Sequence, residues 1–320
     1  MSPTPQASLV LPNYNGKALL EQNLPSVLEA AARRDAEVLV VDDGSEDGSL
    51  ELLAERFPDV QALPLASHQG FIAAVNHGVD RASGRAVVLL NTDVVVEVDF
   101  LAPLLDALDE DTFAVSARSL TEEDRNEGLS LAFFDQGDLV VTQPGIDAPD
   151  RRHQRRCTNF HASGGFSAFD RDKFLQLGGL DPVYHPFYWE DVDLCYRAWK
   201  RGWRCIYEPE SVVHHLSHGT ISCYFSPDEV QKIYEGNKHT FIVKNITEES
   251  YLGAYLERLQ RDLFRSPVTS TDRQRSWGAF EMLSRFKAVL AARAAAGPEE
   301  GEAAVHSDSE VLELSANVPC

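Results

Sequence analysis

Three short apolar runs, each followed by polar or acidic residues, constrain the fold of this chain more than any other feature. The runs are ASLVL from Ala7, EVLVV from Glu37 and AVVLL from Ala86. Each run is bounded by turn residues and therefore predicts a buried strand. A helix with apolar residues at helical spacing is predicted between the first two, from about Lys17 to Arg33. A strand, a helix and a strand in this order imply a right-handed parallel unit, so the chain belongs to the α/β class.

Polar side chains stand at the carboxyl ends of the predicted strands. The first run leads into Asn13, Tyr14 and Asn15, and the second leads into Asp42 and Asp43. In open α/β sheets, ligands bind in the loops at the carboxyl ends of the strands. We therefore expect these two loops to face the same crevice.

The third run, the most apolar of the chain, ends in Asn91, Thr92 and Asp93. An acid at the end of a central buried strand cannot be solvated as freely as an acid on the surface. A bound cation or a hydrogen-bonded ligand is therefore the expected reason for Asp93.

The stretch FYWEDVDLCYRAWKRGW, residues 187–203, combines aromatic residues with a pair of acids at the start of a predicted helix. The helix dipole favours the charged form of an acid in the first turn, so Asp191, next to Glu190, should be able to accept a proton. A purely structural interpretation is also open. Acidic residues are common at helix starts, and Asp193 with Arg197 forms an ordinary i,i+4 pair.

The charge of the chain restricts the partners that it can have. With 50 acidic and 29 basic residues, the net charge is −21, which argues against nucleic acid as a partner. An exception is RRHQRR, residues 151–156, which is either a solvated loop or a clamp on phosphate groups. No apolar run reaches the roughly 18 residues of a membrane span, and the first residues lack a signal-peptide pattern. These features predict a soluble cytoplasmic protein.

The composition changes after residue 225, which suggests three parts. Residues 1–225 carry the α/β pattern, and residues 226–296 carry three segments of helical periodicity. Residues 297–320 contain no Lys or Arg and are rich in acids. We expect them to form a disordered tail behind a C-terminal helical extension.

Five motifs then occur in a single order along the chain. They are the polar loop after the first strand, VDDGSEDGS at Val41, LLNTDVVV at Leu89, GGLDPVYHPFYWEDVDLCYRAWKRGW at Gly178 and VVHH at Val212. In this order the chain resembles the family 2 inverting glycosyltransferases with a GT-A fold, in particular the branch with rhamnosyl- and galactofuranosyltransferase-like enzymes. The resemblance covers about residues 7–245. It implies a Rossmann-like, mostly parallel central sheet flanked by helices.

The resemblance also implies a nucleotide pocket. Asp43, in DDGS, would bind the imide N–H of a uracil or thymine base. The other residues that we assign to nucleotide binding are Pro12, Asn13, Tyr14, Asn15, Asp42, Asn76, Asn91 and Thr92.

A metal site is implied by the same resemblance. Asn91, Thr92 and Asp93 stand where the family has its DxD motif, and only the last position keeps its acid. Asp93 would therefore be the carboxylate ligand of Mn²⁺ or Mg²⁺. His215 matches the histidine that completes the site, and His214 is the neighbouring alternative.

The catalytic base and the acceptor site complete the assignment. Asp191, the second acid of the ED pair, matches the catalytic base, and Glu190 accompanies it. Gly164, Gly165 and Trp189 are the predicted acceptor-binding residues.

These residue types suit transfer from a nucleotide sugar. The leaving diphosphate needs a Lewis acid, which a divalent cation supplies, and the acceptor hydroxyl needs a carboxylate to take its proton. The predicted function is therefore metal-dependent inverting transfer from a UDP- or dTDP-sugar to a hydroxyl of a glycan or lipid-linked glycan. With a lipid-linked acceptor, the C-terminal helices could contact the inner face of the membrane peripherally, or they could form a homodimer.

Two other functions were weighed. A sugar-nucleotidyltransferase would carry a glycine-rich loop with Arg and Lys after the first strand, where this chain has LPNYNG. A noncatalytic glycan-binding or scaffold protein would have no need to keep the acids of the site, and turnover of an added sugar nucleotide would distinguish it.

Overall fold

The computed structural model describes residues 5–123, 125–144, 151–216, 221–264, 269–296 and 304–316. The strands are β1 Ala7–Asn13, β2 Glu37–Asp42, β3 Gln61–Pro64, β4 Ala86–Leu90, β5 Val94–Val96, β6 Thr112–Thr121, β7 Leu131–Asp135, β8 Asp138–Thr142, β9 Cys157–Thr158, β10 Phe166–Asp170 and β11 Arg204–His215. The helices are α1 Lys17–Ala32, α2 Ser49–Arg56, α3 Phe71–Arg81, α4 Leu101–Asp106, α5 Arg171–Gln176, α6 Glu190–Lys200, α7 Ile221–Tyr224, α8 Pro227–Asn245, α9 Glu249–Phe264, α10 Ser270–Ser284, α11 Phe286–Ala296 and α12 Asp308–Ala316.

One large sheet forms the centre of the fold, with the strand order β3-β2-β1-β4-β10-β6-β11-β5. Its first four strands are parallel to one another, and β6 is parallel to β11. Strand β10 runs antiparallel between β4 and β6, and β5 runs antiparallel to β11. The sheet is therefore mixed but mostly parallel, as predicted. The pattern LSLAFF, DQGD, LVVT at residues 129–142 predicts a hairpin, and it is confirmed as the separate pair β7–β8.

Helices cover both faces of the sheet, which explains why the central strand β4 is apolar throughout. Every residue of β4 is buried. On one face α3 lies very close to β1, because a Cβ atom added to Gly78 would lie 2.4 Å from the Val10 Cγ1 atom. A glycine at this position therefore allows the helix and the strand to pack at short range.

Strand β11 extends further than predicted, and this places the paired histidines in the sheet. A strand was expected only at residues 204–207, but it runs on to His215 through a register shift between Glu208 and Val212. His214 lies opposite Val95, and His215 lies opposite Val94. Because successive side chains of a strand point to opposite faces, only one of the two histidines can face a given site.

Helix α8 is tied to the start of α6. The Asn237 side-chain amide donates to the carbonyls of Tyr184, Phe187 and Tyr188 at 2.8, 2.8 and 2.9 Å. Asn237 therefore fixes the aromatic loop, residues 184–188, that leads into α6. The boundary that we predicted between residues 225 and 226 stays a prediction, but the helical extension contacts the aromatic loop at the start of α6.

A buried ion pair also joins these two helices. The Lys244 Nζ atom lies 2.8 Å from both carboxylate oxygens of Asp193. Burial alone would raise the pKa of Asp193, but Arg197 and Lys244 outweigh it and hold the pKa well below its usual range. The pair that looked ordinary in the sequence is thus part of a fully buried network.

The C-terminal tail is not disordered throughout, which corrects our prediction for residues 297–320. Residues 308–316 form α12, in which Val311 and Leu312 are buried. Asp308 accepts hydrogen bonds from the Lys200 side chain at 2.8 Å and from the backbone amides of Thr247 and Glu248. The acidic composition predicted disorder. It could not show that one of these acids, Asp308, accepts hydrogen bonds from donors in the folded domain.

Replacing Asp308 with Ala should release α12 from α6 and from the segment after α8. The variant would leave the Lys200 ammonium and two backbone amides without their acceptor, so we expect a loss of about 2–3 kcal/mol in the free energy of unfolding. Urea denaturation measures it, with Glu313→Ala, an exposed acid of the same helix, as the control. Equal stability of the two variants would contradict the docking of α12.

Candidate active site

A single cavity of about 1350 Å³ opens at the carboxyl ends of the parallel strands. Asp93 and Asp191, which lie almost a hundred positions apart in the chain, both line it. The other predicted site residues in its wall are Pro12, Asn13, Tyr14, Asp43, Asn91, Thr92, Gly164, Gly165, Trp189, Glu190 and His215. The topology explains the convergence, because β1, β2, β4 and β11 all end at this edge and β10 begins there.

The nucleotide end of the cavity is built around Asp43. Its carboxylate accepts hydrogen bonds from the backbone amides of Gln69 and Gly70 at 2.7 and 2.8 Å, and His68 Nδ1 lies 2.8 Å away. The His68 ring in turn stacks on Tyr14 with 4.0 Å between ring centroids. A carboxylate has about four lone-pair sites, so this one can still accept an N–H from a base.

Two residues that we assigned to the nucleotide support the loops instead. Neither Asp42 nor Asn15 lines the cavity. The buried Asp42 carboxylate accepts from Asn13 Nδ2 at 2.9 Å and from the amide of Ser45 at 3.0 Å. The Asn15 Oδ1 atom accepts from the amide of Glu46 at 2.9 Å. Both side chains therefore fasten the loop after β1 to the loop after β2.

The assignment of Asn76 to the nucleotide is likewise corrected. Its Nδ2 atom donates to the Leu180 carbonyl at 2.8 Å, and its Oδ1 atom accepts from the Leu180 amide at 2.9 Å. Because both ends of the amide bind one backbone position, the side chain joins α3 to the segment before α6 and does not line the cavity.

Asp93 and His215 meet where the metal is predicted. The Asp93 Oδ2 and His215 Nε2 atoms are 3.4 Å apart, close to the roughly 3 Å that separates neighbouring ligands of a small octahedral ion. His214 contacts Glu97 instead and is half exposed, so the structure favours His215 over its neighbour. Within the described ranges, no group of three His, Cys, Asp or Glu residues is arranged to hold a metal. The two donors, a carboxylate oxygen and an imidazole nitrogen, are of kinds that bind Mn²⁺.

Glu127, which belongs to none of the five motifs, orients the His215 ring. Its Oε2 atom lies 2.8 Å from His215 Nδ1. Burial lowers the pKa of His215, but the hydrogen bonds to Asp93 and Glu127 outweigh burial and raise it to about 10. A metal bound at Nε2 would have to displace that proton, while Glu127 would keep the ring in place.

Asp191 is held at the start of α6 by backbone amides. Its Oδ2 atom accepts from the Gly164 amide at 3.1 Å, and its Oδ1 atom accepts from the Val192 amide at 2.8 Å. Gly165 lies against Asn91, where an added Cβ atom would be only 2.8 Å from Nδ2. The two glycines therefore connect the end of β4 to Asp191.

Glu190 and Trp189 are more buried than Asp191. Burial, reinforced by the charge of Asp191, raises the pKa of Glu190 well above its usual range. The Trp189 ring is 3% exposed and packs against Tyr234 and Phe241. It lines the cavity but leaves little surface for an acceptor sugar, whereas Tyr188 in the same wall is 38% exposed.

The basic patch at residues 151–156 does not form the clamp that was one of its two interpretations. Arg156 forms an ion pair with Glu208, and Arg152 donates to the Ala316 carbonyl at 3.1 Å. No Lys or Arg of the described chain lines the cavity.

Sequence reasoning missed several residues of the cavity wall. The sequence patterns indicate no role for His68, His161 and His185, and all three line the cavity. His68 lies in the loop after β3, so the rule that strand ends carry ligands could have found it. His161 and Glu127 lie in a stretch of weak periodicity that offered no such signal.

Comparisons with known proteins agree with this geometry. The sequence matches Glycosyl transferase family 2 over residues 8–178. It is 29% identical over 241 residues to the N-acetylglucosaminyl-diphospho-decaprenol L-rhamnosyltransferase of Mycobacterium tuberculosis, covering 66% of this chain and 76% of that protein. It is also 24% identical over 264 residues to N-acetylgalactosaminyltransferase 7 of Drosophila melanogaster, covering 75% of this chain and 43% of that protein.

Two solved structures share the fold. The mannosyltransferase PcManGT from Pyrobaculum calidifontis, in complex with GDP-Man and Mn²⁺, superposes with a TM-score of 0.56 at 17% identity, covering 90% of this chain and 88% of that one. GalNAc-T7 with UDP, GalNAc and Mn²⁺ superposes with a TM-score of 0.62 at 17% identity, covering 90% and 58%. The family match covers more than half of the sequence, and the fold is GT-A-like. The chain belongs to glycosyl transferase family 2 and is a glycosyltransferase that uses a nucleotide sugar.

Proposed function

We propose that the protein transfers a sugar from a UDP- or dTDP-sugar to a hydroxyl of a glycan or lipid-linked glycan, with inversion at the anomeric carbon. The observation that carries the proposal is the shared cavity of Asp93 and Asp191. One acid is paired with an imidazole and suits a cation. The other is held by backbone amides and suits a proton acceptor.

In this proposal the residues divide the reaction between them. Asp43, with His68 and Tyr14, binds the base of the donor. Asp93 and His215 would hold Mn²⁺ or Mg²⁺, which supplies Lewis-acid neutralisation of the leaving diphosphate. Asp191 takes the proton of the acceptor hydroxyl as it attacks the anomeric carbon. A single displacement inverts the configuration at the anomeric carbon. It needs one base and no nucleophilic carboxylate.

A lipid-linked acceptor is supported by the mycobacterial relative, whose name gives N-acetylglucosaminyl-diphospho-decaprenol. The aromatic wall beside Asp191 suits a neutral sugar, and the exposed Tyr188 ring offers a surface for stacking. The described helices are all too short or too polar to cross a bilayer. Peripheral membrane contact and a homodimer both stay predictions, for which Trp277, Phe280 and Leu290 of the C-terminal helices are exposed.

Donor binding should raise the melting temperature of the protein only with the right base and a divalent cation, because a ligand that binds the native state alone stabilises it. We expect dTDP-rhamnose or a UDP-sugar with Mn²⁺ to raise it by several degrees and a GDP-sugar to have a smaller effect. A thermal-shift screen with Mn²⁺ and with EDTA measures this. A preference for the GDP-sugar, or equal shifts in EDTA, would contradict the assignment of the donor or of the cation.

A further inference from the structure

A second cavity, of about 320 Å³, lies between the hairpin β7–β8 and the helices α9 and α10. Three arginines and three aspartates form most of its wall: Arg258, Arg261, Arg275, Asp135, Asp138 and Asp262. We call this cavity the arginine pocket. Its volume lies at the lower end of the range of small-molecule sites, so it can hold a ligand of the size of a phosphate or a diphosphate.

Direct packing of three elements forms the arginine pocket. A Cβ atom added to Gly137, in the turn of the hairpin, would lie 2.3 Å from a backbone carbonyl oxygen of α9, so the turn rests on that helix. The Ser276 Oγ atom of α10 donates to the Asp262 carbonyl of α9 at 2.7 Å. Because Ser276 and Asp262 are the chain neighbours of Arg275 and Arg261, this contact brings the two arginines together.

Two of the three acids in the wall are already paired with cations of the protein. The Asp138 carboxylate lies 3.0 Å from Arg258 Nη2 and 2.7 Å from Lys238 Nζ. The Arg258 Nε atom is also 3.5 Å from the Asp262 carboxylate. The side chains of Asp138 and Arg258 are only 13% and 14% exposed, so this part of the wall is fixed.

The guanidinium groups of Arg261 and Arg275 are left for a ligand. Among the residues that the structure describes, neither group forms an ion pair or a side-chain hydrogen bond. The third acid, Asp135, supplies a single negative charge to the wall. With Lys238, four cationic side chains meet three acids here, although the whole chain has a net charge of −21. The planar guanidinium group binds two phosphate oxygens at once, so this local excess of positive charge suits a phosphate.

The arginine pocket is separate from the active-site cavity. Val140 lines the arginine pocket, whereas its neighbour Val141 lines the active-site cavity. Successive side chains of a strand point to opposite faces, so β8 forms the wall between the two cavities. A phosphate group in the arginine pocket is therefore not the diphosphate of the sugar donor.

We propose that the arginine pocket binds a phosphate or diphosphate group through Arg261 and Arg275. Arg258, which Asp138 and Asp262 hold in place, adds a third positive charge to the site. The group can belong to a free anion or to the headgroup of a lipid, since both present the same oxygens. The proposal goes beyond sugar transfer and does not depend on the roles of Asp93 and Asp191.

Titration calorimetry of pyrophosphate with the full chain in EDTA tests this site without the cation of the active site. We expect the wild type to bind pyrophosphate. Arg261→Gln and Arg275→Gln should each weaken the binding by about 10-fold, because each variant loses charge-assisted hydrogen bonds. Arg273→Gln is the matched control, because Arg273 is an exposed arginine of α10 outside the wall of the arginine pocket, and it should keep the wild-type affinity.

Vesicles of phosphatidylcholine, with and without phosphatidate, distinguish the two sources of the phosphate group. Sedimentation of the protein with phosphatidate vesicles that Arg261→Gln abolishes would assign the site to a lipid headgroup. Pyrophosphate binding without such sedimentation would assign it to a free anion.

Two results would overturn the proposal. One is that the wild type does not bind pyrophosphate at millimolar concentration, or that Arg261→Gln and Arg275→Gln bind it as tightly as Arg273→Gln does. The other is that Asp93→Ala abolishes the binding in EDTA, which would place the anion in the active-site cavity. We expect Asp93→Ala to bind pyrophosphate in EDTA like the wild type.

Discussion

Asp191→Asn should reduce kcat by about 1,000-fold and leave the affinity for the donor close to that of the wild type. The amide cannot take the proton of the acceptor hydroxyl, and general-base catalysis contributes roughly 10²–10⁴-fold. The amide oxygen can still accept the Gly164 hydrogen bond that links the loop to α6, and the only bond lost is the local one from the next residue, Val192. The loop and the donor site should therefore keep their geometry.

Steady-state kinetics and donor titration measure the two effects separately. The matched control is Asp172→Asn, because Asp172 is an exposed acid in the first turn of another helix, α5. We expect the control to keep both kcat and donor affinity. Normal turnover by Asp191→Asn would remove this residue as the base, and a large loss of donor affinity would mean that it binds the nucleotide sugar instead.

The sheet could be predicted because its signals are local. Apolar runs such as the one at Ala86 lie between turn residues, and each predicted strand of the first half is present. The extension of β11 could not be predicted, since the Pro-Glu-Ser interruption hides a strand that continues after a register shift. Helix α12 could not be predicted for a related reason. Its position depends on hydrogen bonds that Asp308 accepts from Lys200 and from the segment after α8.

The site residues that follow strand ends could be predicted from the sequence. Those whose role depends on contacts with distant parts of the chain could not. Asp93 and Asp43 follow buried strands, and the topology brings both into one cavity. Asn76 lies within α3 rather than at a strand end, and its amide binds the backbone of Leu180, over a hundred positions away. Glu127 lines the cavity and contacts His215, but it lies in a stretch without a strand-end pattern. A sequence shows which side chains can bind a ligand, but not which are already bound by the protein.

Asp93→Ala should weaken donor binding in Mn²⁺ by at least about 10-fold and have little effect on binding in EDTA. The reason is the composition of the cavity wall. No described Lys or Arg lines it, so the charge of a diphosphate would be met mainly by the cation that Asp93 and His215 hold. Removing the carboxylate also leaves His215 with only Glu127 as a partner.

Titration of dTDP-rhamnose or a UDP-sugar, in Mn²⁺ and in EDTA, separates a lost metal ligand from a lost fold. Asp99→Ala is the control, because Asp99 is an exposed acid that forms a surface ion pair with Arg33. It should leave binding unchanged in both conditions. An Asp93→Ala variant with the wild-type response to Mn²⁺ would show that the cation does not depend on this carboxylate, and the diphosphate would then need another source of positive charge.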